Sequence, residues 1–126
     1  MRFRVTLSAM PKLTIDPLGT FDVPTGQRLI NAILDNGADQ HHSCGGIAKC
    51  TTCRVQFVEG EPQQMTEAER NLLAANNLNA QPGVRLSCQM LCDHDMKIQL
   101  LVPKPPNKSP ARPKDAIEPA AVWVKQ

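Results

Sequence analysis

The sequence predicts an α+β domain in which a mixed sheet packs against one main helix, with a second short helix and an extended C-terminal tail. Three observations carry this. Alternating apolar positions recur in five short stretches, a helical stripe fills residues 25–37, and the order is strand, strand, helix, strand, helix, strand, strand.

The first stretch, "RFRVTL", sets Phe3, Val5 and Leu7 on one face, and "KLTID" does the same with Leu13 and Ile15. Together they predict an antiparallel hairpin turning at Ala9 to Pro11. "TGQRLINAILDNG" places Leu29, Ile30, Ile33 and Leu34 on one stripe, and Gly37 suits a left-handed C-terminal cap. "CRVQFVEG" alternates with Val55 and Phe57 inward, which stands Cys53 at the mouth of a strand. In "TEAERNLLAAN", Thr66 and Glu69 have the spacing of a capping box and open a short helix that is polar on one side. "VRLSCQM" places Cys88 on a strand, and "MKIQLLV" closes the domain with Met96, Ile98, Leu100 and Val102. There is no internal repeat.

At 126 residues the chain is long enough for one domain with a modest core. "VTLSAM" is too short for a signal segment and is followed by Pro11 and Lys12, and no apolar run approaches membrane-spanning length. A cytoplasmic protein without membrane insertion is expected. Five cysteines would leave one thiol over in a full disulfide framework, which favours metal or cofactor ligation.

Residues 1–102 form the predicted domain; residues 103–126 form a Pro/Lys-rich tail. The domain carries nine Lys or Arg against ten Asp or Glu, or −1, and the tail five against two, or +3. Nothing in this balance calls for nucleic acid. The tail "PKPPNKSPARPKDAIEP" lacks periodic apolar residues and is expected to be extended or disordered. It ends in "AAVWV", whose Trp123 either tacks the tail to the domain surface or anchors a partner.

The chemistry sits in "CGGIAKCTTC", positions 44 to 53, and in Cys88, 34 intervening residues further on. Four thiolates are the usual protein ligands of an iron–sulfur cluster, and three on one tight loop can wrap it from one side. Gly45 and Gly46 allow close backbone approach, so that loop N–H groups can point at sulfur. Ala48, Thr51 and Thr52 are small, while Lys49 either offsets cluster charge or extends into water. A structural zinc site remains open, although only Cys50 and Cys53 form a short knuckle. A dithiol redox motif would open a helix, whereas this one leads into a strand. Covalent haem needs His directly after C-x-x-C, and Arg54 stands there. Cys92, four residues past Cys88, reads as a buried small hydrophobe, since Asp93 and Asp95 would raise its pKa.

"HHSCGGIAKCTTC", with C-x5-C-x2-C spacing, followed by "RLSCQM", resembles the adrenodoxin-type or bacterial iron–sulfur-assembly-type 2Fe-2S ferredoxins, as distinct from the plant type with C-x4-C-x2-C. The similarity extends over residues 1 to about 102, including Glu59-Gly60 and Thr66 to Glu69. It implies a β-grasp fold and a 2Fe-2S cluster held by Cys44, Cys50, Cys53 and Cys88. It also implies one-electron shuttling between a flavin-containing ferredoxin reductase and an electron-acceptor protein. His42 resembles the family's "H-S-C" histidine, whereas Arg54 stands where the family often has histidine and His41 has no assigned role. Glu67 is followed by Asn71 and Ala74 where some members present carboxylates, which leaves the partner open.

The expected protein is therefore a monomeric carrier and not an enzyme. Its docking would be transient and electrostatic through Glu59, Glu61, Glu67, Glu69, Asp93 and Asp95. A redox or iron sensor acting by protein contact, and a zinc-stabilised interaction module, are the alternatives.

Overall fold

The computed structural model describes residues 10–38, 53–78, 80–101, 114–117 and 121–125. β1 (Lys12–Asp16) and β2 (Gly19–Asp22) pair antiparallel, with Leu13 opposite Phe21. β3 (Gln27–Arg28) runs directly into α1 (Leu29–Asp35), and β4 (Arg54–Glu59) follows. β5 (Gln64–Thr66) leads into α2 (Glu67–Ala75), and β6 (Val84–Leu86) into a single 3-10 turn over Ser87–Gln89. β7 (Leu91–Cys92), β8 (Met96–Leu100) and β9 (Trp123–Lys125) complete the order.

The main sheet has the order β2-β1-β8-β4-β6, and β3-β7 and β5-β9 form two small ladders. Only β1 and β8 run parallel; the other neighbours are antiparallel, so the sheet is mixed. With the two helices among the described residues, this is the β-grasp architecture. One expectation needs correction: both edges of β1 are occupied, by β2 and β8, so β1 is not the second arm of a hairpin with residues 2–7, which lie outside the described residues.

α1 forms where the apolar stripe predicts it. Leu29, Ile30, Ala32 and Ile33 are fully buried, the leucine and two isoleucines each contributing on the order of 1.5–3 kcal/mol relative to exposure. It stops in a Schellman turn: the Gly37 amide donates to the Leu34 carbonyl at 3.0 Å and the Ala38 amide to the Ile33 carbonyl at 3.2 Å, with Gly37 at φ +86°. α2 is capped by Thr66, whose Oγ1 accepts from the Glu69 amide at 3.1 Å. The reciprocal half of the expected capping box is absent, because the Glu69 side chain turns inward to Arg85.

Two apolar clusters result. The larger lies under the main sheet and includes Leu13, Ile15, Val55, Phe57 and Ile98, with α1 packed across it. The smaller gathers Ile30, Cys53, Met65, Leu73, Leu86 and Cys88. The described parts of the tail lie on the body: the Lys114 carbonyl accepts from Arg28 and Asn31, Ile117 is buried, and Val124 packs on the smaller cluster. β9 pairs with β5, placing Trp123 opposite Thr66 with its ring part-exposed. Among the described residues no helix is long and apolar enough to cross a membrane.

Candidate metal centre

Cys53 immediately precedes β4, and Cys88 sits in the 3-10 turn after β6 rather than on the strand the sequence predicts. β4 and β6 pair antiparallel with Arg54 opposite Leu86, which brings the residues just outside this pair together. The two Sγ atoms are 3.3 Å apart, and both cysteines are fully buried. Two thiolates on one tetrahedral metal, each about 2.3 Å from it, stand roughly 3.8 Å apart. Half an ångström of opening therefore lets one iron take both sulfurs, so the donor pair fits the group.

The turn is held from several sides. The Ser87 amide and Oγ donate to the Cys53 carbonyl at 3.1 Å and 2.8 Å, tying the start of the turn to the residue before β4. The Cys88 carbonyl accepts from Arg28 Nε at 2.8 Å. Gln89 Nε2 approaches Cys88 Sγ at 3.7 Å, and Thr66 Oγ1 donates to Gln89 Oε1 at 2.7 Å, orienting that amide.

Beside the turn lies a buried ion pair. Arg85 Nε and Nη2 donate to the two oxygens of Glu69 at 2.8 Å and 2.9 Å, and the Leu86 amide adds a third bond to that carboxylate at 2.8 Å. The remaining guanidinium donors reach the Pro62 and Gln64 carbonyls, at 2.7 Å and 2.9 Å. Burial pushes the Glu69 carboxyl up from its ordinary value, while Arg85 and the Leu86 amide act to pull it down. Glu69 is thus a structural residue and is withdrawn from the expected docking carboxylates. Glu59, Glu67, Asp93 and Asp95 are exposed, and Glu61 is half-buried at 3.4 Å from Arg85.

Of the expected ligands, Cys53 and Cys88 are brought together, and Cys44 and Cys50 lie outside the described residues, as do His41, His42, Gly45, Gly46, Ala48, Lys49, Thr51 and Thr52. Cys92 belongs to the larger apolar cluster, and burial, with Asp93 adding to it, pushes its thiol up to about 12. It behaves as the small hydrophobe that the sequence suggests. Arg28, Arg85 and Gln89 escape sequence reasoning; the available signal is an arginine set between buried apolar neighbours, as in "VRL".

At the far end of β7, His94 joins two loops. Its Nδ1 lies 2.6 Å from Asp93 Oδ1 and its Nε2 lies 2.6 Å from the Gly60 carbonyl. Burial lowers its pKa, but the Gly60 carbonyl, Asp93 and Asp95 outweigh this and raise it above 6.5 overall. Gly60 is required there: at φ +80° it packs so closely that an added Cβ would stand 2.2 Å from the Asp95 carbonyl oxygen.

The family model described as "2Fe-2S iron-sulfur cluster binding domain" matches residues 13–93. A subunit of the Na(+)-translocating NADH-quinone reductase of Chlamydia felis is 35% identical over 89 residues, covering 71% of this chain and 20% of that protein. The chain thus spans about a fifth of the length of the curated relatives it matches. The ISC-like 2Fe-2S ferredoxin FdxB of Pseudomonas putida superposes with a TM-score of 0.60 at 27% identity, over 81% of this chain and all of that one. A chain of the covalent putidaredoxin reductase–putidaredoxin complex does so with a TM-score of 0.53 at 27% identity, over 75% of this chain and 99% of that one. A β-grasp fold, a paired set of buried thiols and a match over residues 13–93 agree: the chain belongs to the 2Fe-2S iron–sulfur cluster binding domain family, and its cofactor is a 2Fe-2S cluster.

Proposed function

We propose that this chain is a one-electron carrier that moves electrons between a reductase and an acceptor protein, with Cys44, Cys50, Cys53 and Cys88 as the cluster ligands. The observation that carries the reading is the buried Cys53–Cys88 sulfur pair, 3.3 Å apart and clamped by Ser87 and Arg28. The covalent reductase complex of the putidaredoxin neighbour supports a reductase as one partner. Residues 1–102 form the ferredoxin domain and residues 103–126 the appended tail.

The bound group supplies reversible one-electron chemistry at a potential set by charge, hydrogen bonds to sulfur and solvent exposure. The protein's part is to keep its own atoms still. Ser87 ties the Cys88 turn to the start of β4, Gln89 offers an amide to Cys88 Sγ, and the Arg85–Glu69 pair anchors β6 to α2. A site held this way changes little on taking up charge, which favours rapid transfer. No substrate cavity is needed. Glu59, Glu67, Asp93 and Asp95 give the surface acidic positions for a basic partner, and association through them weakens as salt rises.

The test is the visible and electron paramagnetic resonance spectrum of the purified protein before and after dithionite, for wild type and Cys88→Ser. Wild type should give one reduced 2Fe-2S signal that Cys88→Ser loses or alters. An unchanged signal in Cys88→Ser would remove that cysteine from the ligand set.

A further inference from the structure

We propose that Arg28 is a positioning residue for electron transfer, a buried cation that fixes the main chain of Cys88 and raises the reduction potential of the site. This rests on Cys88 being a cluster ligand.

Arg28 is 0% exposed at the entrance to α1. Its Nε donates to the Cys88 carbonyl at 2.8 Å and its Nη1 to the Lys114 carbonyl at 2.9 Å, an oxygen that also accepts from Asn31 Nδ2 at 3.0 Å. The planar fork therefore spans from the ligand-bearing turn to the C-terminal segment. A neutral amide could satisfy such a carbonyl; the arginine adds a charge that no accessible pH removes.

That charge matters because of where it lies. One-electron reduction, with the electron delivered by a donor protein, makes and breaks no bond and leaves the site one negative charge richer. A fixed cation in the same low-dielectric interior favours the more negative state, and salt hardly screens it there.

The experiment is a potentiometric titration of full-length Arg28→Gln and Arg28→Lys proteins, with the reduced paramagnetic signal as a check that the cluster is intact. Arg28→Gln should shift the ratio of reduced to oxidised protein at fixed potential at least tenfold toward oxidised, a midpoint lower by about 59 mV for one electron. Arg28→Lys, which keeps the charge and loses the fork, should move by less than half as much. Equal shifts in both variants, or an unmoved midpoint in Arg28→Gln with the signal intact, overturn the proposal. If Arg28→Gln does not retain a cluster, Arg28→Lys decides alone: a tenfold-equivalent fall overturns the tuning role, and a near-native midpoint supports it. Failure of the ligand reading is distinguishable, since it would show as a native signal in Cys88→Ser whatever the Arg28 variants do.

Discussion

Cys88 and Cys92 stand four residues apart, yet they belong to different cores. Cys92 lies under the main sheet in the larger cluster, with Leu13, Ile15, Val55, Phe57 and Ile98. Cys88 lies in a smaller cluster rimmed by buried polar groups, among them Arg28, Thr66, Glu69, Arg85, Ser87 and Gln89. The same side chain is a filler in one and a prospective ligand in the other. The decisive difference is the surroundings: a second sulfur at 3.3 Å and an amide at 3.7 Å for Cys88, and burial, with the Asp93 charge adding to it, that pushes the thiol up to about 12 for Cys92.

The sharpest way to break the polar core is to remove one half of its ion pair. Glu69→Ala leaves Arg85 buried without its carboxylate and should cost about 3–5 kcal/mol, measured by denaturant unfolding, with loss of cluster colour at lower denaturant than wild type. A loss below about 1 kcal/mol would show that the pair is dispensable. In the apolar core, Cys92→Ser places a hydroxyl among hydrocarbon and should cost about 1–3 kcal/mol while leaving the visible spectrum of the cluster unchanged. A changed spectrum would join the two cores that the structure separates.

The smallest effect is expected at the surface, at His94. Both of its ring nitrogens face acceptors, the Asp93 carboxylate and the Gly60 carbonyl, so the doubly protonated ring satisfies both and the neutral ring only one. Asp95 is the further charge that raises its pKa. A raised folded value means that the stabilisation is complete below about 6.5 and is lost as pH rises through the folded pKa. Part-exposed as the ring is, the effect should stay under about 1 kcal/mol and vanish in His94→Gln. A stability that rises over that interval in wild type would refute the sign.

Much of the fold is legible in local pattern. The stripe of Leu29, Ile30 and Ile33, the left-handed Gly37 and the N-cap at Thr66 are set by neighbours within four residues, and each is found where the pattern puts it. β2, β3, β5, β7 and β9 run two to four residues, too short for alternation to register. Cys88 is held through Ser87, which bonds to a carbonyl 34 residues away, a contact that no local reading contains. Arg28 and Arg85 look like surface charges until Lys114 and Glu69 are brought to them. The site shows the same division: the cysteine spacing announces a cluster, while the groups that would set its potential come from elsewhere in the chain.

The β5–β9 ladder also has a meaning in time. Thr66 pairs with Trp123, far along the chain. At about 5–20 residues per second, synthesis of the intervening 56 residues takes roughly 3–11 seconds. During translation the segment that becomes β5 therefore waits seconds as an unmatched edge. The lobe holding Cys53 and Cys88 closes only after the strands of the main sheet, β8 among them, have already left the ribosome.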